Sequence, residues 1–242
     1  HERRPWYPVA CCPPNVMRLL GSLGQYFSSR DAGGVQIHQY FAGTIATSDI
    51  ELRIETEYPW QGSVAVTVVR TGDAPWTLSL RVPGWSAATA LVCNGETVGV
   101  GAERGYVPMR RTWLAGDRVE LELDMSVRLT RAHPRVEACT GQVAIERGPI
   151  VYCLEQTDHA DANVLDLGLQ AAAQLEARWQ PDLLGGVMTV EGRGITCETE
   201  PALYASWDAP RSASQERSVR AIPYYAWANR SPGAMRVWLP MI

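Results

Sequence analysis

Residues 105–123 read GYVPMRRTWLAGDRVELEL, and the period of this stretch decides the fold. Val119, Leu121 and Leu123 alternate with Arg118, Glu120 and Glu122. A two-residue period puts one set of side chains on each face of an extended chain, so this is a strand with one apolar face. "YVPMRRTW" before it is a second strand-like run, and "LAGD" (Leu114 to Asp117) is the turn between them. The same signature recurs upstream in "GVQIHQYF", "TIAT", "IELRIETEY", "SVAVTVV", "WTLSLRVP" and "ALVCNGETV". Asn94-Gly95 inside the last of these is a hairpin signal, because both residues tolerate positive φ. Short alternating runs at this spacing specify an antiparallel sandwich rather than a parallel α/β sheet.

A second set of runs follows: "RVEACTG", "QVAIERGPIVYCLEQ", "VMTVEGRGITCE", "IPYYAWANR" and "MRVWLP". Residues 156–184 and 200–218 are less regular, and "LQAAAQLEARW" fits a helix by composition and a strand by the alternation in "LEARW". Pro134, in "RAHPRVEA", interrupts the pattern and marks the expected boundary between two sandwiches. Before the strands, Val16, Leu19, Leu20, Leu23, Tyr26 and Phe27 recur at helical steps. This helix is expected to start at Pro14, because proline suits a first turn while disfavouring helical geometry at Pro13. It should fade near "SSRDAGG".

Composition narrows the function classes. The 242 residues are 46% hydrophobic and 20% charged, as in an ordinary globular protein with one or two cores. A net charge of −4 gives no general attraction to nucleic acid or to an anionic membrane. The 22 basic residues are all arginine, scattered in a way that fits a coding bias better than an anion site. No apolar run approaches the ~20 residues of a membrane span. The chain opens on His1 rather than methionine, so the expectation is a segment of a longer polypeptide.

The chemistry-bearing candidates are few. Cys11 and Cys12 are adjacent, followed by Pro13 and Pro14 at the start of the helix. Neighbouring cysteines form a disulfide only with strain, so they read as reduced thiols or metal ligands, which favours a reducing, cytoplasmic compartment. A helix N-terminus or a metal would favour the thiolate. Zinc takes four ligands and this pair supplies at most two, so two structural cysteines are an equal alternative. Cys93 and Cys153 lie in apolar runs and read as small buried hydrophobes; Cys139 and Cys197 complete the six. His1, His38, His133 and His159 have no metal-like local spacing. Glu51, Glu55 and Glu57, and likewise Glu120 and Glu122, read as solvated strand faces rather than paired catalytic acids. Trp60, Trp76, Trp85 and Trp113 are either a sugar platform or, more commonly, packing.

"WYPVACCPPNVMRLLGSL" (Trp6 to Leu23) resembles the cysteine motif of glycoside hydrolase family 127, the β-L-arabinofuranosidase family. Stretches such as "YPWQGSVAV", "LSLRVPGW", "AHPRVEACTGQVAIERGPIVYCLE" and "IPYYAWANRSPGAMRVWLP" follow in the family's order, and the resemblance covers essentially the whole chain. It implies a mainly β fold: two antiparallel, jelly-roll-like β-sandwich domains, preceded by one helix left over from an (α/α)6 barrel. Residues 1–30 would be the end of that barrel, 31–134 the first sandwich and 135–242 the second. It implies a zinc-dependent retaining hydrolase in which Cys11 is the nucleophile and a metal ligand and Cys12 a second ligand. One further cysteine, a ligand glutamate and the acid/base glutamate would lie upstream, so the segment alone is expected to be inactive. The partner implied is an arabinofuranoside-containing glycan, not nucleic acid or membrane, with a homodimer through the sandwich region in some members. A non-catalytic sandwich module for sugar binding or domain packing is the alternative.

Overall fold

The computed structural model describes residues 3–4, 8–196, 204, 206 and 214–242; His1, Trp6, Tyr7 and Cys197 lie outside them. The chain forms two compact units, Trp6–Met125 and a second comprising His1–Pro5 with Ser126–Ile242. The division falls between Met125 and Ser126, ahead of Pro134.

The first unit opens with helix α1 (Cys12–Ser22) and a 3₁₀ turn (Leu23–Tyr26). Its strands are β1 (Ser28–Asp31), β2 (Gly34–Ile37), β3 (Gly43–Ala46), β4 (Glu51–Thr56), β5 (Ser63–Arg70), β6 (Trp76–Arg81), β7 (Thr89–Cys93), β8 (Glu96–Thr97), β9 (Tyr106–Arg111) and β10 (Arg118–Leu123). They form a four-stranded sheet, β1-β2-β6-β9, and a six-stranded sheet, β3-β4-β5-β10-β7-β8. The inward residues predicted by alternation meet in one core: Ile37, Leu78, Leu80 and Val107 from the smaller sheet, Leu52, Val66, Leu91 and Leu121 from the larger. The "LAGD" turn does not close a hairpin. β9 pairs with β6 in one sheet, whereas β10 pairs with β5 and β7 in the other, so the chain changes sheets there. Asp117 holds this crossing, accepting from Leu114 N at 2.9 Å and from Asn94 Nδ2 at 2.8 Å.

Asn94 (φ 51°) and Gly95 (φ 85°) make the expected two-residue hairpin between β7 and β8. The pairing of β2 with β6 is parallel, and Gly34 (φ 153°) permits it: a Cβ there would stand 2.0 Å from Thr77 O. Trp76, Trp85 and Trp113 pack in or against the core rather than forming a platform. Trp113 is fully buried, its ring tilted against Trp76 with centroids 5.5 Å apart, and it donates to Trp76 O at 3.1 Å. His38 ends its run just past β2, bonded through its two ring nitrogens to Tyr106 Oη (2.7 Å) and Ser29 Oγ (2.8 Å).

Helix α1 departs from the expected bounds at both ends. It starts at Cys12, not Pro14, with Pro13 and Pro14 inside its first turn. The ring fixes φ near the helical value and the first turn needs no N–H, so both prolines fit. It stops at Ser22 rather than near residue 30. Gly21 and Gly24 weaken propagation, and Ser22 Oγ bonds back to Arg18 O (3.0 Å) and Leu19 O (3.2 Å). "SSRDAGG" is then strand β1 and a turn, in which Asp31 Oδ1 accepts from Gly33 N (2.7 Å) and Gly34 N (3.0 Å). Those two backbone bonds hold the Asp31 carboxyl below its usual range.

The second unit holds β11 (Val127–Arg131), β12 (Gln142–Arg147), β13 (Ile150–Glu155), β14 (Leu167–Gly168), β15 (Leu175–Gln180), β16 (Val187–Thr196), β17 (Glu216–Pro223), β18 (Met235–Arg236) and β19 (Trp238–Pro240). β12 and β13 pair only next to their turn, at Glu146↔Val151 and Arg147↔Ile150. β11 pairs with β12 from Val143 to Arg147; away from the turn β12 takes β19 in place of β13, and β13 takes β17 and β18, so the ladder opens into two leaves. Ile145, Tyr152, Leu154, Val190, Val219 and Ile222 are among the buried residues of this unit. The ambiguous "LEARW" is strand: β15 pairs with β16 over six residues. "RVEACTG" is not. Glu137–Cys139 is a 3₁₀ turn, and the strand of that region lies earlier, at β11, antiparallel to β12.

Candidate functional site

Cys11 is the N-cap of α1 and Cys12 its first residue. The first intrahelical bond, Asn15 N to Cys11 O at 3.2 Å, fixes the backbone of the pair. Pro13 and Pro14 follow, stiff and without N–H. The two sulfurs stand 3.5 Å apart, on exposed side chains, and neither is in a disulfide. Two thiolates sharing one ion at metal–sulfur bonds of ~2.3 Å and a tetrahedral angle are about 3.8 Å apart. The pair therefore has the bite of two ligands to a single soft atom. It is not a complete site: among the described residues no group of three or more His, Cys, Asp or Glu is placed to hold a metal.

The helix that carries the pair is unusual for its sequence. Its apolar stripe is exposed in this chain, with Leu20 64% and Val16 58% accessible, and α1 has no buried residue. An 11-residue helix is marginal by propensity alone, so its stability calls for a partner on that stripe.

The other sequence candidates are structural. Arg118 donates to Glu55 (2.9 Å) and Glu120 (3.2 Å) across the outer face of the six-stranded sheet, and Ser63 donates to Glu122. They line a shallow groove of about 690 Å³ in which Arg118 pairs with Glu55 and Glu120. His159 is buried, with Nδ1 donating to Glu155 O (2.8 Å) and Nε2 accepting from Arg220 N (3.3 Å). His133 Nδ1 accepts from Arg135 N at 3.1 Å. Cys93 is buried and accepts from Arg111 at 3.1 Å. Burial, with the nearby Glu155 charge, pushes the Cys153 thiol up to about 12. At pH 8, iodoacetamide should alkylate Cys11 and Cys12 in the folded chain within minutes and leave Cys153 unmodified; peptide mapping by mass spectrometry reads this directly.

One constellation escapes the sequence reading. Arg230 donates to Asp158 Oδ1 (2.9 Å) and to Glu155 Oε2 through Nε (3.1 Å) and a terminal nitrogen (2.5 Å), and it also reaches Asp158 Oδ2 at 2.5 Å. Glu155 Oε1 accepts from Ala228 N at 2.8 Å. Hydrogen bonds to the two carboxylates outweigh desolvation and raise the Arg230 pKa. Arg3 grips the same loop, donating to Trp227 O (2.6 Å) and Tyr225 O (2.7 Å). The available signal was a pair of acids ending the apolar run "PIVYCLEQTD"; backbone carbonyls as partners leave none.

The paired β units are those of the C-terminal region of a glycoside hydrolase. Residues 34–125 match the family model described as the GH127 middle domain of β-L-arabinofuranosidase, and residues 127–240 match the glycoside hydrolase family 127 C-terminal domain. The chain belongs to glycoside hydrolase family 127, as its C-terminal part. It is 38% identical over 252 aligned residues to a non-reducing end β-L-arabinofuranosidase of Bifidobacterium longum subsp. longum, covering 98% of this chain and 38% of that protein. Among solved structures, a GH127 β-L-arabinofuranosidase from Geobacillus stearothermophilus T6 superposes with a TM-score of 0.92 at 38% identity, over 100% of this chain and 39% of that one. A GH127 β-arabinofuranosidase superposes at 0.89 and 33% identity, over 100% and 40%. The chain thus spans about two fifths of the length of these relatives.

Proposed function

We propose that this chain is the C-terminal part of a retaining β-L-arabinofuranosidase and contributes the nucleophile, Cys11, and two zinc ligands, Cys11 and Cys12. The observation that carries the reading is the vicinal pair, two exposed sulfurs 3.5 Å apart at the start of a helix, in a chain of this family. Both are soft donors at a separation suited to one ion, so zinc fits them as half of a four-ligand set. When bound, zinc would favour the thiolate over the thiol at neutral pH.

The chain's own residues then have distinct tasks. Cys11 Sγ attacks the anomeric carbon as the glycosidic C–O bond breaks, and a C–S bond joins sugar and protein. A carboxylic acid outside these 242 residues gives its proton to the leaving oxygen, then takes one from the water that cleaves the C–S bond. Two inversions at one carbon give net retention. Pro13, Pro14 and the Asn15 N–Cys11 O bond hold the sulfur's backbone still, so little entropy is lost in orienting it. The two sandwiches serve as support; in the first, Trp76, Trp85 and Trp113 are spent on its core. The helix's open apolar stripe fits a seat in a helical domain. A reduced vicinal pair persists most readily in a reducing compartment, which favours a cytoplasmic location; a homodimer through the sandwich region rests on the family resemblance alone.

Proton NMR of the reaction of a full-length enzyme carrying this segment should show the β anomer of L-arabinofuranose released first, and the 242-residue chain alone should release none. Initial release of the α anomer, or arabinose from the chain alone, would contradict the reading.

A further inference from the structure

We infer that Cys11 and Cys12 form a two-point site for trivalent organoarsenicals. The inference stands on the sulfur geometry and does not depend on the hydrolase reading. Both side chains are exposed, both thiols are free, and their sulfurs are 3.5 Å apart on a backbone held by the first turn of α1. The donor count selects the ligand. A zinc ion is left two ligands short by this pair, and among the described residues no third His, Cys, Asp or Glu joins it. An arsenic(III) centre that already carries one carbon needs two sulfurs and no more, in a narrow pyramidal arrangement suited to a short bite.

The reaction balances without an oxidant. The arsenic–oxygen unit of a monosubstituted arsine oxide leaves as water, taking the two thiol protons. Two As–S bonds form, and arsenic stays trivalent. The product is a nine-membered ring through the Cys11–Cys12 peptide. Direct oxidation to a disulfide is the competing fate. It would need an S–S bond of ~2.05 Å, drawing the sulfurs together by about 1.5 Å against a backbone already committed to the helix. The bridging atom removes that demand.

The other described thiols cannot imitate this. Cys93 and Cys153 are buried, and Cys139 lies on a 3₁₀ turn of the second unit without a neighbouring cysteine.

The test uses phenylarsine oxide on the reduced 242-residue chain, with native mass spectrometry as the readout. One phenylarsenic group per chain should survive a wash with excess monothiol and be removed by a 1,2-dithiol. Cys11→Ser and Cys12→Ser should each abolish retention, at least a hundredfold below the parent chain, while Cys139→Ser retains it fully. Circular dichroism of each variant controls for folding. No retention by the parent chain, or retention by Cys11→Ser, would overturn the inference. Neither outcome touches the stereochemical test above, so the two readings fail separately.

Discussion

Replacing Cys11 by serine in a full-length enzyme that carries this segment is expected to lower kcat for β-L-arabinofuranosides by roughly 10⁴-fold or more, as loss of a covalent nucleophile does elsewhere. The substitution changes one atom. Serine keeps the size and the backbone, and Cys11 makes no side-chain capping bond whose loss would fray the helix. What disappears is a soft, easily ionised nucleophile, and the hydroxyl that replaces it stays protonated at neutral pH. Because Cys11 is also a proposed metal ligand, loss of activity alone does not separate the two roles. Rapid quenching of the parent enzyme does: an arabinosyl adduct should appear on the peptide containing Cys11, attached to that residue and not to Cys12. Cys12→Ser should deplete bound zinc while leaving a sulfur at position 11. Activity of Cys11→Ser within tenfold of the parent, or an adduct on another residue, would sink the assignment.

Half of the proposed site was legible because its two members are neighbours in sequence. Adjacency forces Cys11 and Cys12 together whatever the fold, and only their separation had to come from coordinates. The strands were legible for a similar reason. Alternation in "RVELEL" or "SVAVTVV" is a local property, and it fixes which side chains enter the core. Which strands pair is not local. Nothing in "MRRTWLAGDRV" distinguishes a hairpin from the observed passage between sheets, since that choice depends on where Trp113 and Asp117 find partners tens of residues away. The parallel pairing of β2 with β6 is equally hidden, apart from a glycine at position 34 that the close approach of Thr77 explains after the fact. Helix α1 shows the limit of local rules themselves. Pro14 argued against a helical Pro13, yet the whole first turn adopts helical geometry.

The second large effect is expected at Arg230, whose partners lie 72 and 75 residues away in sequence. Arg230→Ala should destabilise the second unit by about 3–5 kcal/mol, because it leaves the buried Glu155 carboxylate without a cation among the described residues and Asp158 with only Arg220, 4.0 Å away. The side chains of Glu155 and Asp158 are each only 5% exposed, against 19% for Arg230. Arg230→Lys keeps the charge but loses the planar fork that serves both acids at once, so it should recover only part of the loss. Glu155→Gln with Asp158→Asn and Arg230→Met should come closer to the parent chain than Arg230→Ala does: the amide oxygen at position 155 can still accept from Ala228 N, and no buried charge remains. Urea unfolding at pH 7, with amide exchange to locate the loss in residues 126–242, measures this. A deficit under 1 kcal/mol would show that the 224–230 loop is held chiefly by Arg3, which donates to Trp227 O and Tyr225 O.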